Sequence, residues 1–257
     1  MIRNLTIITI TGLVLAIAGI GGAFALGGND LVRHDWTWVV SGDGSDDSIR
    51  IERGTIAPNV TKTLAWSGDD RLLLDLSADV TYVQGAEAKV TVTGPSSAVD
   101  RVRLNNGRLV MDDGDESERG YIRWKATGLR VWSDTDRVEV TVTAPSVTTF
   151  EVIGSSDVDI RAYDQSTLSL TVSGSGDVQV EGATRALDID ITGSGDIDAD
   201  RLDVTDAAIV ISGSGDVRVG PTGNTQIDVS GSGDVDLTRR PAQLRQQLTG
   251  SGDVDGG

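Results

Sequence analysis

The chain has 257 residues, a formal net charge of −17, 32 glycines, one histidine and no cysteine. The lack of cysteine excludes disulfides, Cys-ligated metals and a lipid-modified cysteine, and the acidic balance opposes nucleic acid and anionic lipid surfaces as partners. Aromatic residues make up only 4%, so a core must rest on Val, Ile and Leu, which suits a thin solenoid better than a thick globule.

The chain opens on an apolar run, Leu5 to Gly27, with Arg3 before it and no acidic residue inside. Its length predicts one apolar helix able to cross a bilayer. Ala23-Phe24-Ala25 is also an A-x-A cleavage signal, so residues 1–27 read as a signal peptide or, uncleaved, as an N-terminal membrane anchor. Either way Arg3 stays inside and the rest of the chain is exported. Residues 28–60 read as linker and lead-in, because SGDGSDDS is acidic and turn-rich. Trp36 and Trp38 alternate, so both fit one face of a short strand, where they would cover the first open coil or stack on a sugar. His34 stands near them with no second His or Cys and reads as a surface residue.

The domain proper is expected over residues 61–257. Up to Pro145 the segments LLLDLSADVTYV, AKVTVTG, DRVRLNNGRLVMDD and DRVEVTVTAP alternate as strands do. Asn105-Asn106-Gly107 reads as a tight turn. An acidic excursion, DDGDESERG, interrupts between Met111 and Thr135 and is followed by Tyr121, Trp124 and Trp132. It lacks EF-hand spacing and reads as a solvated loop, a small ribbon at the solenoid's edge, or a recognition loop.

Residues 146–257 repeat one phrase. It is GSSD at Gly154, then GSGD at Gly174, Gly193, Gly213, Gly231 and Gly250, a spacing of about 19 residues. Two positions before each phrase stand Val152, Val172, Ile191, Ile211, Val229 and Leu248. Four before stand Phe150, Leu170, Ile189, Ile209, Ile227 and Gln246, and four after stand Val158, Val178, Ile197, Val217, Val235 and Val254. Apolar residues thus hold even offsets and Ser, Thr and Asp hold odd ones. That is strand periodicity with one buried face, and the β-branched columns argue against helix. The pattern predicts an all-β fold, a parallel β-helix or β-solenoid with ~19-residue coils stacked at roughly 4.8 Å. An up-and-down barrel would need a hairpin turn every ~10 residues and gives no reason for the register.

The glycines at Gly154, Gly174, Gly193, Gly213, Gly231 and Gly250 read as coil corners, where opposite walls approach closely or φ turns positive. The aspartates three positions on are Asp157, Asp177, Asp196, Asp216, Asp234 and Asp253. They read as acceptors of backbone N–H bonds, as in Asx-turns. The sharper reading is a ladder of carboxylates bridged by divalent cations. The calcium-binding nonapeptide differs, because it repeats every nine residues while this chain has one GSGD per coil. Ser156 replaces the second glycine of the first phrase and predicts a different corner there. Gln246 replaces an apolar residue in the last coil, so that coil is expected to be shielded by residues 239–248 or to pair with another subunit, since a bare edge invites strand addition.

The SGSGDV phrases, with LLLDLSADVTYVQGAEAKVTVTGP and VTVTAPSVTTFEVIGSSDVDI, resemble the bacterial family described as putative auto-transporter adhesin, head GIN domain, over about residues 64–255. The resemblance implies a β-solenoid in the envelope of a Gram-negative bacterium, in the periplasm, outer membrane or on the cell surface. It brings no catalytic residues with it.

The sequence therefore points to a non-enzymatic, adhesin-like or scaffolding envelope protein, with no cofactor and no metal, whose partner is an envelope protein or a glycan. Homo-oligomers through the end coils fit the same reading. A cation-dependent or glycan-binding module is the alternative. A polysaccharide-active enzyme would draw on Asp188, Asp190, Asp198, Asp200 or Asp203, but these hold regular outward positions, and a Ser-His-Asp site is opposed by the single His in the linker.

Overall fold

The computed structural model describes residues 58–112 and 138–256 in full and the backbone of four more strands, at 36–42, 49–53, 120–125 and 128–133. The expected N-terminal helix, His34 and residues 113–119 of the acidic stretch lie outside the described residues. In chain order, β1 (Trp36–Gly42) and β2 (Ile49–Arg53) come first. β3 (Asn59–Ala65) leads into β4 (Arg71–Asp75) and β5 (Asp79–Gln84). The chain then reverses through β6 (Lys89–Pro95), one helical turn α1 (Ser96–Val99), and the hairpin β7 (Val102–Asn105) and β8 (Arg108–Met111). After β9 (Gly120–Lys125) and β10 (Gly128–Ser133) come β11 (Glu139–Ala144) and β12 (Thr149–Val152). The repeats follow as β13 (Asp157–Asp164), β14 (Thr167–Val172), β15 (Val178–Ile191), β16 (Ile197–Ile211), β17 (Val217–Pro221), β18 (Asn224–Gly231), β19 (Val235–Leu237), β20 (Gln243–Gly250) and β21 (Val254–Gly256).

The chain divides into two units. The smaller holds a four-stranded antiparallel sheet in the order β10-β9-β1-β2. In it Trp36 stands opposite Trp124, and Tyr121 opposite Trp132. Strands of the lead-in, β1 and β2, and the two strands that follow the acidic stretch, β9 and β10, are therefore partners in one sheet, where the sequence suggested a linker and a solvated loop or edge ribbon. Two-stranded ribbons are marginal alone, and joining two hairpins gives four strands.

The larger unit is a flattened solenoid of two walls. One wall runs β7-β8-β4-β12-β14, then the second halves of β15 and β16, then β18 and β20. The other runs β3-β6-β11-β5-β13, then the first halves of β15 and β16, then β17, β19 and β21. From β5 onward the second wall is parallel, and the stacking is the one the repeat predicts. In the first wall Leu74, Val152, Val172, Ile191, Ile211, Val229 and Leu248 form one continuous column. All but Leu248 are buried. Coil lengths differ by a residue or two because the second corner absorbs the change. Gln179 pairs with Asp198 but Glu181 pairs with Arg201, so β16 holds one extra residue there.

The two ends differ. At the first, the turn of β7 and β8 puts Asn106 at φ 46° and Gly107 at φ 77°, as a two-residue type I′ hairpin requires. Beside it α1 seats Ala98 and Val99 in the core, with Val102 and Leu109 buried too. At the other end, residues 243–250 do not shield the last coil. They are its strand, paired with β18 and exposed at every position. Leu244 and Leu248 keep the inward parity, so the segment builds one more rung despite its polar composition.

Candidate functional site

The repeated corner is the place where sequence reasoning located its candidate residues, and stacking explains each of them. A Cβ on Gly174, Gly193, Gly213, Gly231 or Gly250 would meet the carbonyl oxygen of the equivalent glycine one coil back, well inside the 3.0 Å that real Cβ atoms essentially never breach. The second glycines behave alike, from Gly176 over Ser156 to Gly252 over Gly233. The close neighbour is the adjacent coil, not the opposite wall. Gly154 lies over Leu76, whose carbonyl would be 2.7 Å from a Cβ. Ser156 is fully buried at the second glycine's place, and its hydroxyl donates to the Leu76 carbonyl at 2.7 Å. This is the different first corner that the GSSD phrase announces.

The aspartates accept backbone N–H bonds, but the donor sits in the next coil. The amide of Asp196 donates to Asp177 Oδ1 at 3.0 Å, Asp216 to Asp196 at 2.8 Å, Asp234 to Asp216 at 2.8 Å and Asp253 to Asp234 at 2.8 Å. Asp177 to Asp157 is longer, at 3.4 Å. The Asp main-chain carbonyls also work between coils: Val178 N donates to Asp196 O at 2.8 Å and Val217 N to Asp234 O at 2.9 Å. Among the described residues no rung follows that of Asp253, and its Oδ1 takes the amide of its own neighbour Val254 at 2.9 Å. One carboxylate oxygen per rung is thus committed to joining coils. Among the described residues no group of three or more His, Cys, Asp or Glu is placed to hold a metal ion.

The acids weighed for catalysis are dispersed. Asp198 accepts the amide of Asp200 at 3.0 Å, and Asp203 pairs with Arg239 at 3.0 Å. Asp188 lines a separate feature, an open groove of about 390 Å³ on the outer face of the first wall. Four successive coils contribute to it: Ala186 and Asp188, then Asp206 and Ala208, then Asn224 and Gln226, then Gln243 and Arg245. Asp206 Oδ1 accepts both the amide and the side-chain nitrogen of Asn224, at 2.7 and 3.1 Å. Small outward residues, Ala186 and Ala208, open the trough, and amides, carboxylates and a guanidinium line it. The sequence pattern did not reveal the groove, since its lining is spread over some 60 residues. Its only linear signal is alanine at outward positions.

Inside, Tyr82, Phe150 and Tyr163 meet edge to face, an aromatic stack only in the sense of a T-shaped series, with ring centroids 5.0 and 6.4 Å apart. Tyr82 Oη donates to the Ala144 carbonyl at 2.9 Å and Tyr163 Oη to Thr167 at 2.6 Å. Burial pushes both phenols above their ordinary 10.0, for Tyr82 against a partial offset from the Val147 backbone. These hydroxyls serve the core, each held on a main-chain carbonyl.

Comparison with known proteins bears on the whole solenoid. No curated protein matches the sequence. Among solved structures, one described as a putative adhesin from Bacteroides fragilis is 18% identical, with a TM-score of 0.55, and the match covers 77% of this chain and 96% of that one. It supports the fold alone. A structure described as a putative lipid binding protein from Parabacteroides distasonis matches at 16% identity and TM-score 0.44, over 77% of this chain and 97% of that one. Residues 70–241 match the family described as putative auto-transporter adhesin, head GIN domain, which takes in the first coil, the aromatic stack, the groove's first three coils and all but the last GSGD corner, and the chain belongs to that family.

Proposed function

We propose that the chain is a non-enzymatic, exported protein of the bacterial envelope or surface, acting as an adhesin-like or scaffolding rod. The observation that carries this reading is the commitment of the repeated Asp to inter-coil bonds. The motif that dominates the sequence holds the rod together, and recognition is left to the outer walls. The apolar N-terminal run and the family's adhesin description agree with it. The test has two parts. Protein in intact cells should be labelled by a membrane-impermeant reagent, or released with the periplasm, and purified protein should leave acidic polysaccharides uncut. Purely cytoplasmic material, or cleavage at a useful rate, overturns the reading.

The groove favours a narrower version, in which the partner is a glycan. Its lining offers donors and acceptors from four stacked coils, so an extended polar chain lying along the axis meets a new set at each rung. A glycan array should show binding that Gln226→Ala with Arg245→Ala reduces ~10-fold or more, as expected for loss of two polar contacts. Binding indifferent to both changes removes the groove from the account.

A further inference from the structure

The last described strand of the first wall carries an inference of its own. Among the described residues the only strand partner of β20 is β18, so its outer edge presents backbone N–H and C=O groups with no ladder to join. Such an edge is a template for another strand. The inward-parity residues on it are exposed as well: Leu244 is 43% and Leu248 38% accessible, while their partners one coil back, Thr225 and Val229, are at 3% and 1%. At the other end α1 and the β7–β8 hairpin already occupy the bore, and β3 and β6 run antiparallel there. A parallel coil finds no matching surface at that end, which disfavours head-to-tail stacking into a filament.

We propose that two copies of this chain join tail to tail, β20 against β20, as an antiparallel pair centred on Gln246. The register is self-complementary. Directly opposite residues in an antiparallel pair share a face, so a two-fold at Gln246 sets Leu244 against Leu248 of the second copy. The two leucine pairs place apolar side chains across the junction, Leu248 over Val229 and Leu244 over Thr225. Gln246 meets its own counterpart, and a primary amide is both donor and acceptor, so it can pair with itself. Arg245 falls opposite Gln247 of the second copy, and no like charges are placed face to face. This explains the amide at the end of the column Phe150, Leu170, Ile189, Ile209, Ile227. In the middle of the rod it would be a buried polar group, whereas on a two-fold axis it fixes register. The contact is isologous and therefore closes at two copies.

The test uses the purified exported protein. Sedimentation should give twice the chain mass, and Gln246→Lys should weaken the dimer ~10-fold or more by setting two ammonium groups against each other. Position 246 is exposed, so the Gln246→Lys chain should melt as the unmodified monomer does, separating lost pairing from lost folding. Because the chain has no cysteine, register is read directly by oxidation. Gln246→Cys should cross-link to itself, Leu244→Cys should cross-link to Leu248→Cys in a mixture, and either of those alone should cross-link poorly. A monomer at ~100 µM, a dimer indifferent to Gln246→Lys, an open-ended polymer, or capture of a different strand at this edge would each overturn the proposal.

Discussion

The regular coils from Thr149 to Gly256 and the opening segment from Asn59 to Ala144 build one core by different means. In the coils, backbone lies on backbone. Glycine carbonyls stack where no Cβ fits, Asp side chains bond to the next rung, and the apolar columns follow from that register. In the opening segment, side chains and antiparallel pairs do the closing. There β3, β6 and β11 run alternately antiparallel, and α1 fills the bore with Ala98 and Val99. The difference implies that the coils tolerate changes of apolar side chain but not of backbone shape, and that the opening segment has the reverse sensitivity.

A pair of glycine substitutions tests that contrast most strongly. In Gly215→Ala the new Cβ would collide with the Gly195 carbonyl, a backbone atom, and sit 3.0 Å from Ile191 Cγ2. Neither the strand nor its neighbour can move without disturbing the stack, so we expect a loss of about 3 kcal/mol, the upper end of the usual cost of overpacking. In Gly85→Ala the nearest atom is the Thr143 methyl, at 3.1 Å. A side chain can give way there, and the expected loss is under about 1 kcal/mol. Urea denaturation of both variants decides; equal losses would show that the coils are no stiffer than the opening segment.

The aromatic stack joins the two regions, and alkaline pH probes it. Tyr82 and Tyr163 have phenol pKa values raised by burial in the folded state. Above about pH 10 the unfolded chain loses these protons while the folded one keeps them, so unfolding is favoured as pH rises. Stability should be flat below pH 10 as far as these groups are concerned and fall above it. Tyr163→Phe should flatten the fall. At neutral pH it should cost about 1–2 kcal/mol, because the Thr167 carbonyl loses its donor. A buried hydroxyl in the coils should behave oppositely. Thr225 is 3% exposed, and its hydroxyl has no hydrogen-bond partner. Thr225→Val removes an unmet polar group at constant shape and should raise stability by up to about 1 kcal/mol, read as a higher melting temperature.

The same contrast explains what the sequence made legible. The column Ile191, Ile211, Val229 could be read because strand parity and a constant repeat fix the neighbour of each residue in advance. The Asn106-Gly107 turn could be read because both residues take positive φ. The four-stranded sheet could not, since Trp36 and Trp124 are partners across 88 positions and neither segment repeats. Nor could the insertion of β11 between β6 and β5, because it breaks chain order within the wall. Residues 239–248 mislead through their composition. Arg and Gln suggest a cover, while the parity of Leu244 and Leu248 carries the structural information of the strand at 243–250. At the corner, the acceptor role of Asp was visible in one coil, but its donor exists only once two coils are stacked.

The Asp ladder gives the smallest effect and the sharpest distinction between a structural and an ion-binding corner. Its carboxylates lie in line, one per rung, at roughly the 4.8 Å of strand spacing, and like charges so placed repel. What each rung uses is an oxygen acceptor for the next amide, such as Asp216 Oδ1 for the Asp234 N–H at 2.8 Å. Asn keeps that acceptor and removes the charge, whereas Ala removes both. If the ladder is structural, Asp216→Ala loses about 1 kcal/mol or less, Asp216→Asn stays within a few tenths of the parent, and millimolar calcium shifts none of the three melting temperatures. If the carboxylates hold cations, calcium must raise the parent's melting temperature, and Asp216→Asn must lose that response while keeping its fold. The asparagine variant thus separates charge from hydrogen bonding at one rung, with its neighbours as unchanged references above and below.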